Sequence, residues 1–163
     1  MENSIIGQVS AKPLYSLYNG LVQNLRTDST VVYIPSFQRQ VNQWDLETKQ
    51  KFIGSLIYSG IPLTQPILLG KIVEDERLWL LDGLQRLSTV LDFVDCKFKI
   101  TDPDTGEELS FADLDDKIQK KLRNTEVTVN TLNNIRDQER AYEIFLKANN
   151  GVPLNLFQKK EGV

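Results

Sequence analysis

The amino-acid sequence predicts an α+β domain: a small mixed sheet with helices packed around it. Three observations carry that prediction. Apolar residues recur at helical spacing in several separate stretches, and short β-branched or leucine-rich runs lie between those stretches. One such run passes directly through Asp82-Gly83 into a helical stripe. At 163 residues, 40% hydrophobic and 25% charged, the chain can bury one core but not two large ones.

From the N-terminus, Pro13 followed by Leu14, Leu17, Leu21 and Leu25 predicts a first helix ending near Thr27. Val31 to Ile34 reads as a short strand stopped by Pro35. Leu46, Ile53, Leu56 and Ile57 give a helix from about Gln43 to Ser59, with Asn42 as candidate cap and Gly60 and Pro62 as stop. Ile67 to Leu69 and Leu78 to Leu81 flank the charged turn Glu74 to Arg77 and form a hairpin. Leu87, Val90, Leu91 and Val94 then mark a helix. Phe98 to Ile100 and Glu126 to Thr131 read as strands, Leu114 to Arg123 as a short helix. Asp137 caps a last helix whose Ala141, Ile144, Phe145 and Ala148 share one face.

Composition removes whole classes of chemistry. The chain has no His, so it carries no Ser-His-Asp triad, Cys-His pair or imidazole zinc site of its own. A net charge of −3 and a pI near 5.1 give no global footprint for a polyanion, so DNA binding would need a local basic patch. Asp102 to Asp116 holds seven acids and no base, and Lys117 to Arg123 holds four bases; this reads as a solvated loop followed by an exposed helix. The single Cys96 fits a reducing compartment and reads as a small buried hydrophobe. No secretory leader opens the chain, and the longest uncharged run, Phe52 to Gly70, contains two prolines and three glycines, which makes the cytoplasm the expectation and a membrane span not.

Chemistry concentrates at Asp82 to Arg86. A helix N-terminus presents unpaired backbone N–H groups and a partial positive charge, which favour an anion. Gly83 lets backbone approach a ligand, and Arg86 adds a planar fork suited to phosphate. Asp82 and Gln85 also have the spacing of a capping box and would then do no more than start the helix. Gln38 and Arg39 follow a strand and lack an adjacent acid, so Arg39 reads as a ligand contact or as an exposed loop side chain; Trp44 reads as core. Asn149 to Leu154 either ends the last helix or turns Lys147 and Asn149 toward a common pocket.

Taken together, Ile34-Pro35-Ser36-Phe37-Gln38-Arg39, Trp44, Phe52 to Ile57 with Gly60-Ile61-Pro62, Leu81 to Thr89, and Phe145 to Leu154 resemble the N-terminal domain of GmrSD-type, modification-dependent restriction enzymes, a family related to the ParB/sulfiredoxin-like fold. The resemblance implies one nucleotide-binding domain over residues 1–163, either the N-terminal part of a longer protein, as in family members that carry a separate C-terminal nuclease domain, or a stand-alone version. It implies binding, and hydrolysis, of a nucleoside triphosphate with Mg²⁺, linked to restriction of foreign DNA that is bound through another domain or partner. Gln38, Arg39, Gly83, Gln85, Arg86, Lys147 and Asn149 would bind the nucleotide; Asp82, Gln85 and Arg86 would be catalytic, with Asp82 holding the metal through water. A non-hydrolysing ParB-like DNA-binding or regulatory module is the alternative, and a direct metal-dependent nuclease a further one. The family motif reads Asp-Gly-Gln-Gln-Arg, whereas here Leu84 replaces its first Gln. Lys147 stands where Arg is usual, a glycine pair is reduced to Gly151, and Gln158 stands for Glu.

Overall fold

A computed structural model describes residues 4–13, 32–40, 43–60, 63–75 and 77–150, with the backbone alone described at 39, 40 and 150. The expected first helix and the segment after residue 150 lie outside these. A five-stranded mixed sheet has the order β1-β7-β3-β4-β2, formed by β1 (Ile6–Pro13), β2 (Val32–Tyr33), β3 (Ile67–Ile72), β4 (Leu78–Asp82) and β7 (Glu126–Ile135). β3 and β4 form the expected antiparallel hairpin, while β2 runs parallel to β4 and β7 parallel to β3. A second, two-stranded sheet pairs β5 (Ile100–Thr101) with β6 (Glu108–Leu109) inside the acidic segment.

Helices α1 (Leu46–Tyr58) and α2 (Leu84–Val94) cover one face of the main sheet. Ile53, Leu56 and Ile57 of α1 pack with Leu87, Val90 and Phe93 of α2 against Ile67, Leu69, Leu80, Val127 and Val129. Leu46 is 56% exposed and does not join that stripe, because the helix starts there: Asp45, and not Asn42, is the cap, accepting from the Thr48 N–H at 2.8 Å. Helix α3 (Asp116–Arg123) closes the core below through Leu122, and its Lys121 Nζ donates to the Ile57 carbonyl. The opposite face carries a smaller core of Ile72, Trp79, Leu81, Ile135 and Ala141, covered by α4 (Gln138–Asn150), where Asp137 accepts from the Arg140 N–H at 2.8 Å as expected. On α4 Ala141 and Phe145 are buried while Ala148 is exposed.

Two features were not expected. β1 pairs along all eight of its residues with β7, yet every one of them is exposed, so no apolar signal marks it. In β7 a register shift opposite Gly70 and Ile72, with Asn134 at φ 66°, inserts one extra residue. That bulge moves Ile135 to the face opposite Val127 and Val129. Cys96 is exposed, not buried, in a left-handed conformation at φ 59° just past α2.

Candidate functional site

The site forms where β4 ends and α2 begins. β2 accompanies β4 only as far as Trp79, so the Leu80 carbonyl is left to a side chain: the buried Gln38, in the 3-10 turn Ser36–Gln40, donates to it at 2.6 Å. Asn149, near the end of α4, donates to the Leu81 carbonyl at 3.2 Å and to the Phe145 carbonyl at 2.8 Å. Two amides far apart in sequence are thereby fixed at the C-terminal end of the same strand.

Gly83 follows with φ 116° and is the cap residue of α2. A Cβ there would lie 2.4 Å from Ile67 Cδ1, so glycine is required for both conformation and space. Asp82 therefore belongs to β4 and the capping box does not form. Gln85 instead turns outward, its Oε1 accepting from the Trp44 backbone N–H at 3.0 Å. With a glycine as cap, no cap side chain takes up the first-turn N–H groups of α2.

Arg86 carries structural work that its position in sequence does not disclose. Its guanidinium donates to the Gln65 carbonyl at 2.5 Å and the Pro66 carbonyl at 3.1 Å, and lies 3.5 Å from Asp82 Oδ2. It thereby ties the loop before β3 to the start of α2. Burial pushes the Asp82 carboxyl above the usual range, only partly offset by the Arg86 charge and the Gly83 N–H. Burial likewise lowers the Arg86 value against the pull of Asp82. In both, loss of solvent outweighs a long ion pair.

These groups enclose a polar cavity of about 160 Å³ lined by Gln38, Trp44, Gln65, Asp82, Gly83, Leu84, Gln85, Arg86 and Asn149. Six of these are residues to which the sequence assigns a site role: Gln38, Asp82, Gly83, Gln85, Arg86 and Asn149. Lys147 is exposed and does not line it; the side chain of Arg39 lies outside the described residues. Sequence reasoning missed Gln65 and placed Trp44 in the core, where it is half-buried instead; Gln65 follows Thr64 and precedes Pro66 in a loop with no distinguishing pattern. Beside this cavity, and sharing Trp44, Gln65 and Arg86 with it, lies a second of about 390 Å³ lined also by Phe52, Ser55, Ser59, Leu63 and Thr64. Among the described residues no three His, Cys, Asp or Glu side chains come together as a metal cluster. No helix of the described residues is long and apolar enough to cross a membrane.

Neither a curated protein nor a solved structure matches the chain. A family model does: that of the GmrSD restriction endonuclease N-terminal domain, over residues 18–159, which includes every residue lining both cavities. Because that match covers most of the chain, the protein belongs to the GmrSD N-terminal domain family, the N-terminal domain of a restriction endonuclease.

Proposed function

We propose that the cavity at the start of α2 binds the phosphates of a nucleoside triphosphate, in a domain that couples nucleotide binding to restriction of foreign DNA. The observation that supports it most is the convergence of a glycine-started helix N-terminus with Arg86, Gln38 and Asn149 around one small polar cavity. A phosphate there meets the N–H groups of the first turn of α2. It also meets the guanidinium N–H groups that Arg86 does not spend on Gln65, Pro66 and Asp82. Gln38 uses one amide hydrogen on β4 and keeps a second, whereas Asn149 spends both of its amide hydrogens on the Leu81 and Phe145 carbonyls and so shapes the cavity wall. Arg39, next to Gln38, would add a further charge. Mg²⁺ bound to the nucleotide would neutralise phosphate charge, with Asp82 its water-mediated partner.

Hydrolysis needs a group to orient water. Gln85 is the candidate, acting through its amide hydrogens, because its oxygen is held by Trp44. That engagement, with Leu84 in place of a Gln, favours a second reading in which the domain senses nucleotide without turnover. Phosphate release from each of the four common triphosphates with Mg²⁺, measured beside thermal stabilisation by the same nucleotides, separates the two. Stabilisation with release supports the hydrolase, and stabilisation alone supports the sensor. The absence of both removes the nucleotide reading. If Arg39 and Arg86 share a phosphate, Arg39→Ala and Arg86→Ala should each remove most binding, with the double variant little worse than either; strict additivity at fixed salt would contradict a shared site.

A further inference from the structure

We propose that the 390 Å³ cavity beside the phosphate site takes the nucleobase, an inference that rests on the nucleotide reading above. The polar cavity, at about 160 Å³, is smaller than the roughly 300–1,000 Å³ of pockets that enclose small organic ligands, so it accommodates one end of a nucleotide and not the whole. The neighbouring cavity falls within that range. The two share Trp44, Gln65 and Arg86, so a ligand anchored by its phosphates at Arg86 extends into the second without leaving protein contact.

The walls have the chemistry of a base site. Trp44 and Phe52, which both line the cavity, meet edge to face with ring centroids 5.2 Å apart and give it an aromatic wall for a base to stack on. The backbone that carries Trp44 is fixed, since its N–H donates to Gln85 Oε1 of the phosphate cavity and Asp45, its neighbour, caps α1. Leu63 adds apolar surface. Ser55, Ser59 and Thr64 add polar side chains to the same cavity; the Ser55 and Ser59 hydroxyls donate to the Phe52 and Ser55 carbonyls, so Ser55 faces a base as an acceptor. Every base has a π face, so a platform of this kind accepts purines and pyrimidines, and the hydroxyls tune the preference. Gln85 thereby links the two cavities: it lines the phosphate cavity and accepts from the backbone N–H of Trp44, which lines both.

The test compares a probe with a base and one without. Binding of the four common triphosphates and of inorganic tripolyphosphate is measured by calorimetry on the whole chain and on Ser55→Trp, which fills the larger cavity from an exposed helix position that does not itself line the phosphate cavity. The best nucleotide should lose about 10-fold or more in affinity, the size of one lost base stack, while tripolyphosphate binds as before. Trp44→Ala should weaken nucleotide by a similar factor, and Trp44→Phe should restore part of it; this pair decides the matter should Ser55→Trp fail to fold. If tripolyphosphate and nucleotide bind the parent equally, or the nucleotide affinity survives both Ser55→Trp and Trp44→Ala, the base site is wrong and the phosphate site stands. If neither probe binds the parent, both readings fall together.

Discussion

The β3–β4 hairpin has an Asp-Arg pair at each end, and the two pairs behave in opposite ways. At the turn, Asp75 accepts from the Arg77 backbone N–H, from Arg77 Nε and NH2 at 3.0 and 2.8 Å, and from Trp79 Nε1 at 2.9 Å. Arg77 also lies 3.9 Å over the Tyr33 ring. The Arg77 guanidinium holds the Asp75 carboxyl well below the usual range. At the other end Asp82 and Arg86 stand 3.5 Å apart, and burial moves each toward its neutral form. The first pair is saturated and locks a turn. The second is held by one long contact among the described residues, beside a cavity at a helix N-terminus, which is where a ligand would complete it on the proposed reading.

The largest effect expected on this comparison comes from Gly83. Gly83→Ala places a methyl against the buried Ile67 in a backbone conformation at φ 116°, and should cost about 3 kcal/mol from strain and overpacking together. A urea melt reads it directly; a loss under about 1 kcal/mol would mean that the turn can relax and that glycine is not dictated by packing.

At the opposite end, Asp75→Ala leaves the indole N–H of the 3%-exposed Trp79 without its acceptor and releases Arg77 from its partner. A loss of about 1–3 kcal/mol is expected, with no change in nucleotide affinity. Weakened nucleotide binding after this substitution would erase the distinction between the two ends.

The smallest effect, and the one most specific to the comparison, is the sign of the pH dependence. Asp75 has a lowered folded value. Its stabilisation is therefore present above the ordinary aspartate pKa of about 3.9 and is lost as pH falls toward the lowered value. Asp82 has a raised folded value, so its favourable contribution is full below the ordinary value of about 3.9 and is lost as pH rises from there through the raised folded value. Asp75→Asn should flatten the acid limb of the stability curve. Asp82→Asn should steepen it and leave stability at neutral pH within about 1 kcal/mol of the parent. Equal slopes in the two variants would contradict the assignment.

How much of this was legible in the sequence varies with the physics of each element. The hairpin, the strand-turn-helix at Asp82 to Leu87 and the cap at Asp137 were readable because a local pattern dictates each. β1 was not, since eight exposed residues held by backbone pairing to β7 leave no side-chain period to read. The bulge at Asn134 was hidden for a related reason: the apolar alternation of β7 changes face there, and only the pairing with β3 shows it. In the site, Gly83, Gln85, Arg86, Gln38 and Asn149 were nameable from motifs. The load that Arg86 carries on the Gln65 and Pro66 carbonyls was not, because it joins positions some twenty residues apart. Trp44 shows the same limit, since an aromatic residue after a polar loop reads as core until the helix beside it is placed.

The most direct measurement of the central claim is the backbone amide NMR spectrum of the whole chain during titration with inorganic tripolyphosphate. The amides of Gly83, Leu84, Gln85 and Arg86, at the start of α2, should shift first and furthest in a saturable manner, while those of Asp75 and Arg77 at the far end of the hairpin stay in place. Saturable shifts centred away from α2, or no shift at the Gly83 to Arg86 amides at saturating anion, would contradict the assignment of this helix N-terminus as the phosphate site.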